Sequence, residues 1–385
     1  MSFMEDTKFS KRDQSNRSQK RILFLSTLTP PYYGASLSSE MCLNILKEEK
    51  NFDIRNIKLN YSKEMSDVGK LNLKKIYGFF QISRQIKKNL KQFNPEIIYF
   101  VPAVTGFGLI RDYCFLRIIR LKKRGRLILH IRGQFKKKDW NNPFKRKLIK
   151  QLLKCDKVIV LGPELIKNLN NLIKKENIYI LPNAIVNTLK DNEFEKIKMN
   201  KKIKKILRLL FLSNMQESKG WFKVLEASKI LRDSGIEFEC HFVGKWSTRR
   251  DEKRFYNYVE EHNLSKIVNY HGQLLSREKN DILSKTDILI YPTEYDAFGR
   301  VIIEAMEYGI VTISNKEGTI PSIIKHGKTG YVLDNNTATE ICEYIKRLLD
   351  NSLRCDMSIN SRKRFLEKFT IETYRNDFTA IFHEN

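Results

Sequence analysis

The sequence predicts an α/β protein of two doubly wound, Rossmann-like domains that face each other across a cleft. Three observations carry that expectation. Short apolar runs alternate with longer amphipathic stretches through the first half, a charged and apolar-poor segment interrupts them at Lys190–Lys205, and the alternation restarts at Ile206. Strands that alternate with helices imply a parallel sheet covered on both faces. A chain of 385 residues, 41% of them hydrophobic, suits two such domains of roughly 150–200 residues, each with its own core. Doubly wound sheets bind ligands at the carboxyl ends of their strands, and two of them facing each other make one cleft.

The elements follow in order. Arg21–Ser26 (RILFLS) reads as a buried parallel strand. A loop with Pro30, Pro31 and Gly34 follows, then a helix over Leu37–Lys50 and a strand over Asp53–Lys58. The spacing of Leu73, Ile76, Phe80, Ile86, Leu90 and Phe93 predicts a helix over Leu71–Phe93. Strands at Ile97–Val101, Arg126–Arg132, Lys157–Leu161 and Ile178–Leu181 alternate with helices at Gly108–Lys123, Pro143–Leu153 and Glu164–Lys174. In the second half, strands are expected at Leu207–Leu212, Phe238–Val243, Ile267–His271, Asp287–Tyr291 and Val311–Ser314. The helices between them are Trp221–Ser234, Arg250–His262, Arg277–Ser284 and Arg300–Tyr308, and Ile320–Lys325, Thr337–Asp350 and Ser358–Phe369 complete the set.

Composition excludes several classes. Cys42, Cys114, Cys155, Cys240, Cys342 and Cys355 show no CxxC spacing and read as reduced thiols of a cytoplasmic protein. Met1–Lys20 is polar and mixed in charge, without the apolar core of a signal peptide, and reads as a disordered leader. The charge-free stretch Ile97–Ile110 is broken by Pro102, Gly106 and Gly108, and it is shorter than the roughly 18–20 residues that span a bilayer. No Asp-x-Asp occurs, and His241, His262, His271, His326 and His383 show no ligand spacing, so neither a metal nor a cofactor is expected.

The chemistry concentrates in Tyr291–Met306, YPTEYDAFGRVIIEAM. A strand ends at Tyr291, a loop carries Glu294, Asp296, Phe298 and Gly299, and a helix starts near Arg300 with Glu304 in its second turn. Gly299 lets the backbone approach a ligand closely. Free N–H groups at the helix start suit an anion such as a diphosphate, while carboxylates on the loop and inner helix face accept hydrogen bonds from sugar hydroxyls. A helix cap followed by an exposed Glu is the structural alternative. Lys219, on a loop ahead of another helix start, is placed as phosphate-binding cations are, or is simply solvated.

Asp296-x7-Glu304, inside DAFGRVIIEAM, resembles the E-x7-E motif of glycosyltransferase family 4, retaining enzymes of GT-B architecture; Asp stands here where Glu is usual. Phe211–Ala227, FLSNMQESKGWFKVLEA, resembles the family's strand–loop–KG–helix element, in which an Arg and a Lys grip the donor diphosphate. Lys219 matches the Lys and Asn214 stands at the Arg. Phe242-Val243-Gly244 resembles the next strand end, and NYHGQL, ending at Leu274, the turn whose backbone reads the nucleobase. GTIP (Gly318–Pro321) and GKTG (Gly327–Gly330) resemble the closing segments, with Ser322 at the usual Glu. In the first half, PPYYGAS resembles the glycine loop that meets the donor phosphate, with Gly34 as its glycine. LHIRG resembles the strand end bearing a His near the reacting centre, here His130, and ILPNA the segment that closes the first domain.

The resemblance runs over about Ile22–Phe369 and implies a retaining, metal-independent glycosyltransferase. Its donor would be a nucleoside-diphosphate sugar, and its acceptor a hydroxyl of a glycan or lipid-linked glycan in bacterial surface polysaccharide synthesis. His130, Asp296 and Glu304 are the implied catalytic residues; Gly34, Asn214, Lys219, Gly244, Leu274, Phe298, Gly299 and Arg300 are the implied donor contacts. The expected division is a leader at 1–20, an acceptor domain at 21–190, a linker at 191–205, a nucleotide-sugar domain at 206–365, and a C-terminal helix at 366–385 packing back on the first domain. A GT-B epimerase or phosphorylase, and a non-catalytic polyanion-binding protein, are the alternatives.

The net charge is +27, and Arg111–Lys154 holds 16 Lys or Arg against Asp112 and Asp139. Leu71–Phe93 adds a basic amphipathic stretch with Phe79 and Phe80. Solvated helix faces and docking on an anionic leaflet both fit; no RNP, zinc-finger or helix-turn-helix signature points to nucleic acid. The expected location is the cytoplasm, peripheral on the inner face of the cell membrane.

Overall fold

The computed structural model describes residues 19–30, 34–60, 73–121, 125–169, 171–203 and 206–383. Two six-stranded sheets organise it. The first contains β1 (Lys20–Ser26), β2 (Phe52–Lys58), β3 (Ile97–Phe100), β4 (Arg126–Ile131), β5 (Lys157–Val160) and β6 (Ile178–Ile180), in the order β2-β1-β3-β4-β5-β6. The second contains β7 (Leu207–Leu212), β8 (Phe238–Val243), β9 (Val268–Tyr270), β10 (Ile288–Tyr291), β11 (Val311–Asn315) and β12 (Gly330–Leu333), in the order β12-β11-β10-β7-β8-β9. Both orders reverse direction beside their first strand, the doubly wound arrangement whose switch point lies at the carboxyl ends of the strands. By packing density the chain divides into two compact units, Met1–His130 with Lys154–Lys157, and Ile131–Leu153 with Val158–Asn385.

Central strands are apolar on both faces because helices cover both. Ile22, Leu23, Phe24 and Leu25 of β1 are fully buried, as an unbroken apolar run requires. In the second unit β7 pairs with β8 from Leu207↔Phe238 to Leu212↔Val243 and with β10 at Ile288↔Leu209. The core against it gathers Leu209, Phe211, Trp221, Leu225, Phe242, Phe255 and Ile290. Trp221 opens the helix Trp221–Asp233, and its ring meets Trp246 edge-on at 5.5 Å.

Several segments differ from the sequence expectation. The segment expected as a linker forms the helix Asp191–Ile203, while residues 204–205 lie outside the described residues. Its start is held by Glu193, whose carboxylate accepts the Lys190 N–H at 2.9 Å, and it is pinned by one buried aromatic, Phe194, beneath the Arg362 guanidinium. One anchor gives too little apolar periodicity to read. Glu164–Lys174 is instead a short 3-10 helix, Pro163–Leu169. The helix expected from Ser358 begins at Asn351, because Asp350 caps it by accepting the N–H groups of Ser352 and Leu353. The helix Lys137–Asn141 and strand β12 are additional. The C-terminal helix is Ile371–His383, in the second unit. The leader over 1–18, Pro31–Tyr33 of the glycine loop, and Lys122–Arg124 of the basic run lie outside the described residues. Among the described residues no helix is long and apolar enough to cross a membrane.

Trp221→Ala is expected to cost about 3–5 kcal/mol, the range for emptying a buried aromatic site. Urea denaturation followed by far-ultraviolet circular dichroism checks it; an unchanged midpoint contradicts the packing described.

Candidate functional site

The candidate site stands at the carboxyl ends of β7 and β10, adjacent strands of the second sheet. The loop after β7 carries Asn214 through Gly220, and the loop after β10 carries Pro292 through Gly299. Backbone contacts lock the two together. The Glu294 N–H donates to Ser218 O at 2.8 Å. Gly220 has φ +84°, and a Cβ there would lie 2.4 Å from Pro292 O, so only glycine permits this approach. Gly318 packs similarly, 2.2 Å from Asp296 O if given a Cβ.

Lys219 and Asp296 meet at the centre. The Lys219 Nζ lies 2.9 Å from Asp296 Oδ2, 2.8 Å from Tyr295 O and 3.1 Å from the Tyr291 hydroxyl. The Tyr291 hydroxyl donates to the same Asp296 oxygen at 2.6 Å. The other carboxylate oxygen, Oδ1, accepts the N–H groups of Phe298 at 3.0 Å and Gly299 at 2.9 Å. Burial alone would raise the Asp296 carboxyl. The Lys219 ammonium, the Tyr291 hydroxyl and the Phe298 N–H outweigh it and hold the group below the usual carboxylate value. Burial, then the Asp296 charge, push the Tyr291 phenol well above its usual value, so it stays a proton donor at neutral pH.

The N–H groups of Phe298 and Gly299, just ahead of the helix start, are thus taken by Asp296. An Asp side chain is short enough to fold back on amides two and three residues ahead. Glu304, on the helix Arg300–Glu307, forms a second cluster: Lys279 Nζ lies 3.2 Å from Oε2 and Arg300 Nε 3.4 Å from Oε1. Arg300 thus turns back along its own helix.

The other expected residues take varied places. Asn214 is exposed on the β7 loop. Gly244 lets its loop press on Ser213, whose carbonyl oxygen would lie 1.7 Å from any Cβ, and its N–H donates to Gly272 O. Phe298 is buried and meets Phe369 edge-on. Leu274 lines a cavity of about 480 Å³ with Arg208, His241, His271 and Arg277. Ser322 donates to Glu164 Oε1 at 2.5 Å. In the first unit, His130 is fully buried with Nδ1 2.6 Å from the Tyr99 hydroxyl, and Gly34 opens the helix Gly34–Glu48 with open space where a Cβ would be.

Sequence reasoning missed Tyr291 and Lys279 as site residues. Tyr291 was visible only as the end of a strand, although a tyrosine facing an acidic loop was a signal. Lys279 and Glu304 are too far apart in sequence for any spacing rule to join them. The contact of His241 Nδ1 with His271 Nε2, 2.9 Å apart, was equally hidden. Burial pushes both imidazoles below their usual value. Among the described residues, no group of three or more His, Cys, Asp or Glu is placed to hold a metal ion.

Lys219→Met removes the cation and leaves the desolvation. The Asp296 carboxyl is then expected to titrate higher than in the wild type, since the cation is the largest of the groups that lower it. Carbonyl-carbon NMR of labelled aspartate measures it; an Asp296 that titrates unchanged in the variant contradicts the ion pair.

Residues 191–364 match the model of the family described as glycosyl transferases group 1. The chain is 26% identical over 254 residues to N-acetyl-alpha-D-glucosaminyl L-malate synthase of Bacillus anthracis, a match covering 59% of this chain and 65% of that one. It is 24% identical over 226 residues to the capsular polysaccharide biosynthesis glycosyltransferase CapM of Staphylococcus aureus, covering 56% and 57%. The chain therefore spans less than two thirds of the length of these relatives. Among solved structures, Anabaena HepE in complex with UDP and glucose superposes with a TM-score of 0.69 at 13% identity, covering 95% of this chain and 100% of that one. That likeness shows the fold, which is GT-B, and the match to the glycosyl transferases group 1 model covers residues 191–364, a little under half of the chain.

Proposed function

We propose that the protein is a retaining glycosyltransferase. It moves a sugar from a nucleoside-diphosphate sugar to a hydroxyl of a glycan or lipid-linked acceptor in bacterial surface polysaccharide synthesis, without a metal ion. Its place is the cytoplasm, against the inner face of the cell membrane. The observation that carries the reading is the Lys219–Asp296–Tyr291 cluster at the carboxyl ends of β7 and β10. The activities for which the relatives are named support it, as do the UDP and glucose held in the HepE complex.

In this reading the donor diphosphate takes over the Lys219 ammonium, exchanging a carboxylate partner for a doubly charged one in a desolvated site. Asp296, released from the cation but still held by the Phe298 and Gly299 amides, accepts a hydrogen bond from a donor-sugar hydroxyl. Tyr291 stays protonated and donates into the same space. Glu304, oriented by Lys279 and Arg300, accepts from the ribose or the sugar. In the transfer step the bond from the anomeric carbon to the diphosphate oxygen breaks, and the bond to the acceptor oxygen forms on the same face. The acceptor proton passes to the departing phosphate oxygen.

Lys219→Ala is expected to lower turnover by about 100-fold or more, the scale for removing one charge-stabilising group from a transition state, with the circular dichroism spectrum unchanged. The readout is mass spectrometry of products from a panel of nucleotide sugars with a lipid-linked acceptor. Full turnover by this variant, or no product with any donor from the wild type, contradicts the reading.

A further inference from the structure

Two neighbouring helices of the first unit, Leu73–Gln92 and Gly106–Leu121, hold large apolar side chains in water. They pack on each other through Phe79, which stacks on Phe115 with ring centroids 5.2 Å apart. Ile82, Ile86 and Leu90 point inward and are buried. The outward face of the first helix begins with Ile76, Tyr77 and Phe80, which are 48%, 63% and 56% exposed. It continues into Arg84, Lys87, Lys88 and Lys91, all exposed. The second helix adds Phe107 and Ile110 at its start, and Arg117 further along.

Each helix ends just before one of two neighbouring parallel strands, β3 and β4. The two helices therefore run the same way, with both apolar clusters at the starting end of the pair, where the sequence also carries Lys74 and Lys75, and with Arg84, Lys87, Lys88 and Lys91 further along. The first helix carries Lys74, Lys75, Arg84, Lys87, Lys88 and Lys91 and no acidic residue. Exposed aromatic and branched side chains on a helix whose charged residues are all cations complement one kind of surface, a hydrocarbon interior beneath negatively charged headgroups. Nucleic acid would use the cations and leave Ile76, Phe80 and Phe107 in water.

We propose that this helix pair docks on an anionic lipid bilayer. Tyr77, Phe80 and Phe107 seat at headgroup depth, and Arg84, Lys87, Lys88 and Lys91 lie against the lipid phosphates. The inference deepens the membrane part of the proposed function by naming the surface, and it holds whether or not the chain transfers sugar.

The test is co-sedimentation of the full chain with phosphatidylglycerol–phosphatidylcholine vesicles and with pure phosphatidylcholine vesicles. Binding is expected to be at least about tenfold tighter on the anionic vesicles. The combined variant Tyr77→Ser, Phe80→Ser, Phe107→Ser is expected to lose about tenfold of that affinity while keeping its circular dichroism spectrum and its nucleotide release with a soluble acceptor. Replacing Arg84, Lys87 and Lys88 with Gln should lower affinity to a similar degree. Equal binding to the two vesicle types, no binding to either, or full binding by the serine variant overturns the proposal. So does RNA that displaces the wild type from vesicles and still binds the serine variant. Because nucleotide release is read separately, a chain that docks but transfers nothing would contradict the enzymatic reading alone.

Discussion

The ammonium of Lys219 and the carboxylate of Asp296 are both largely withdrawn from water, with 18% and 23% of their side chains exposed. Desolvating two charges is costly, and the cost is recovered only where geometry and further hydrogen bonds are good. Here they are. The lysine has three acceptors, and the carboxylate has a cation and a phenol on one oxygen and two amides on the other. The loops that bring them together are set by backbone contacts that only glycine tolerates, at Gly220 against Pro292 and at Gly318 against Asp296. The site is therefore built before any ligand arrives, and a phosphate entering it meets a cation already dehydrated and aimed. That preorganisation separates a binding group from an ordinary surface lysine.

Asp296 has a local consequence for the loop. Its short side chain reaches the amides of Phe298 and Gly299, the two residues ahead of the helix Arg300–Glu307. The residue thus holds the loop and the ion pair at once, and the two roles share one carboxylate. Glu304 has no such double duty; it accepts charge-assisted hydrogen bonds from Lys279 and Arg300.

Much of this was legible in the sequence because the second unit announces its strands as short, mostly apolar runs. Leu207–Leu212 and Phe238–Val243 come out with the bounds their composition implies. The Lys219 and Asp296 positions follow from where those runs end and the loops begin. What stayed hidden has a physical explanation in each case. The helix Asp191–Ile203 is held by Phe194 and by Glu193 on a backbone amide, so it lacks a repeating apolar stripe. The pairing of Lys279 with Glu304, and of His241 with His271, depends on how helices and strands stack, which no local spacing encodes. The bonds from Asp296 to the Phe298 and Gly299 amides were hidden because a side chain's reach to amides two and three residues ahead depends on its rotamer.

The central claim is that Lys219 is held ready for a nucleotide's phosphates. The most direct measurement is calorimetric titration of the wild type and Lys219→Ala with uridine, guanosine, adenosine, cytidine and thymidine diphosphates at fixed ionic strength. The account requires that the wild type bind at least one of them, and that the variant bind it about tenfold or more weakly, the scale of one charge-assisted contact. Equal affinity in the two proteins would contradict it.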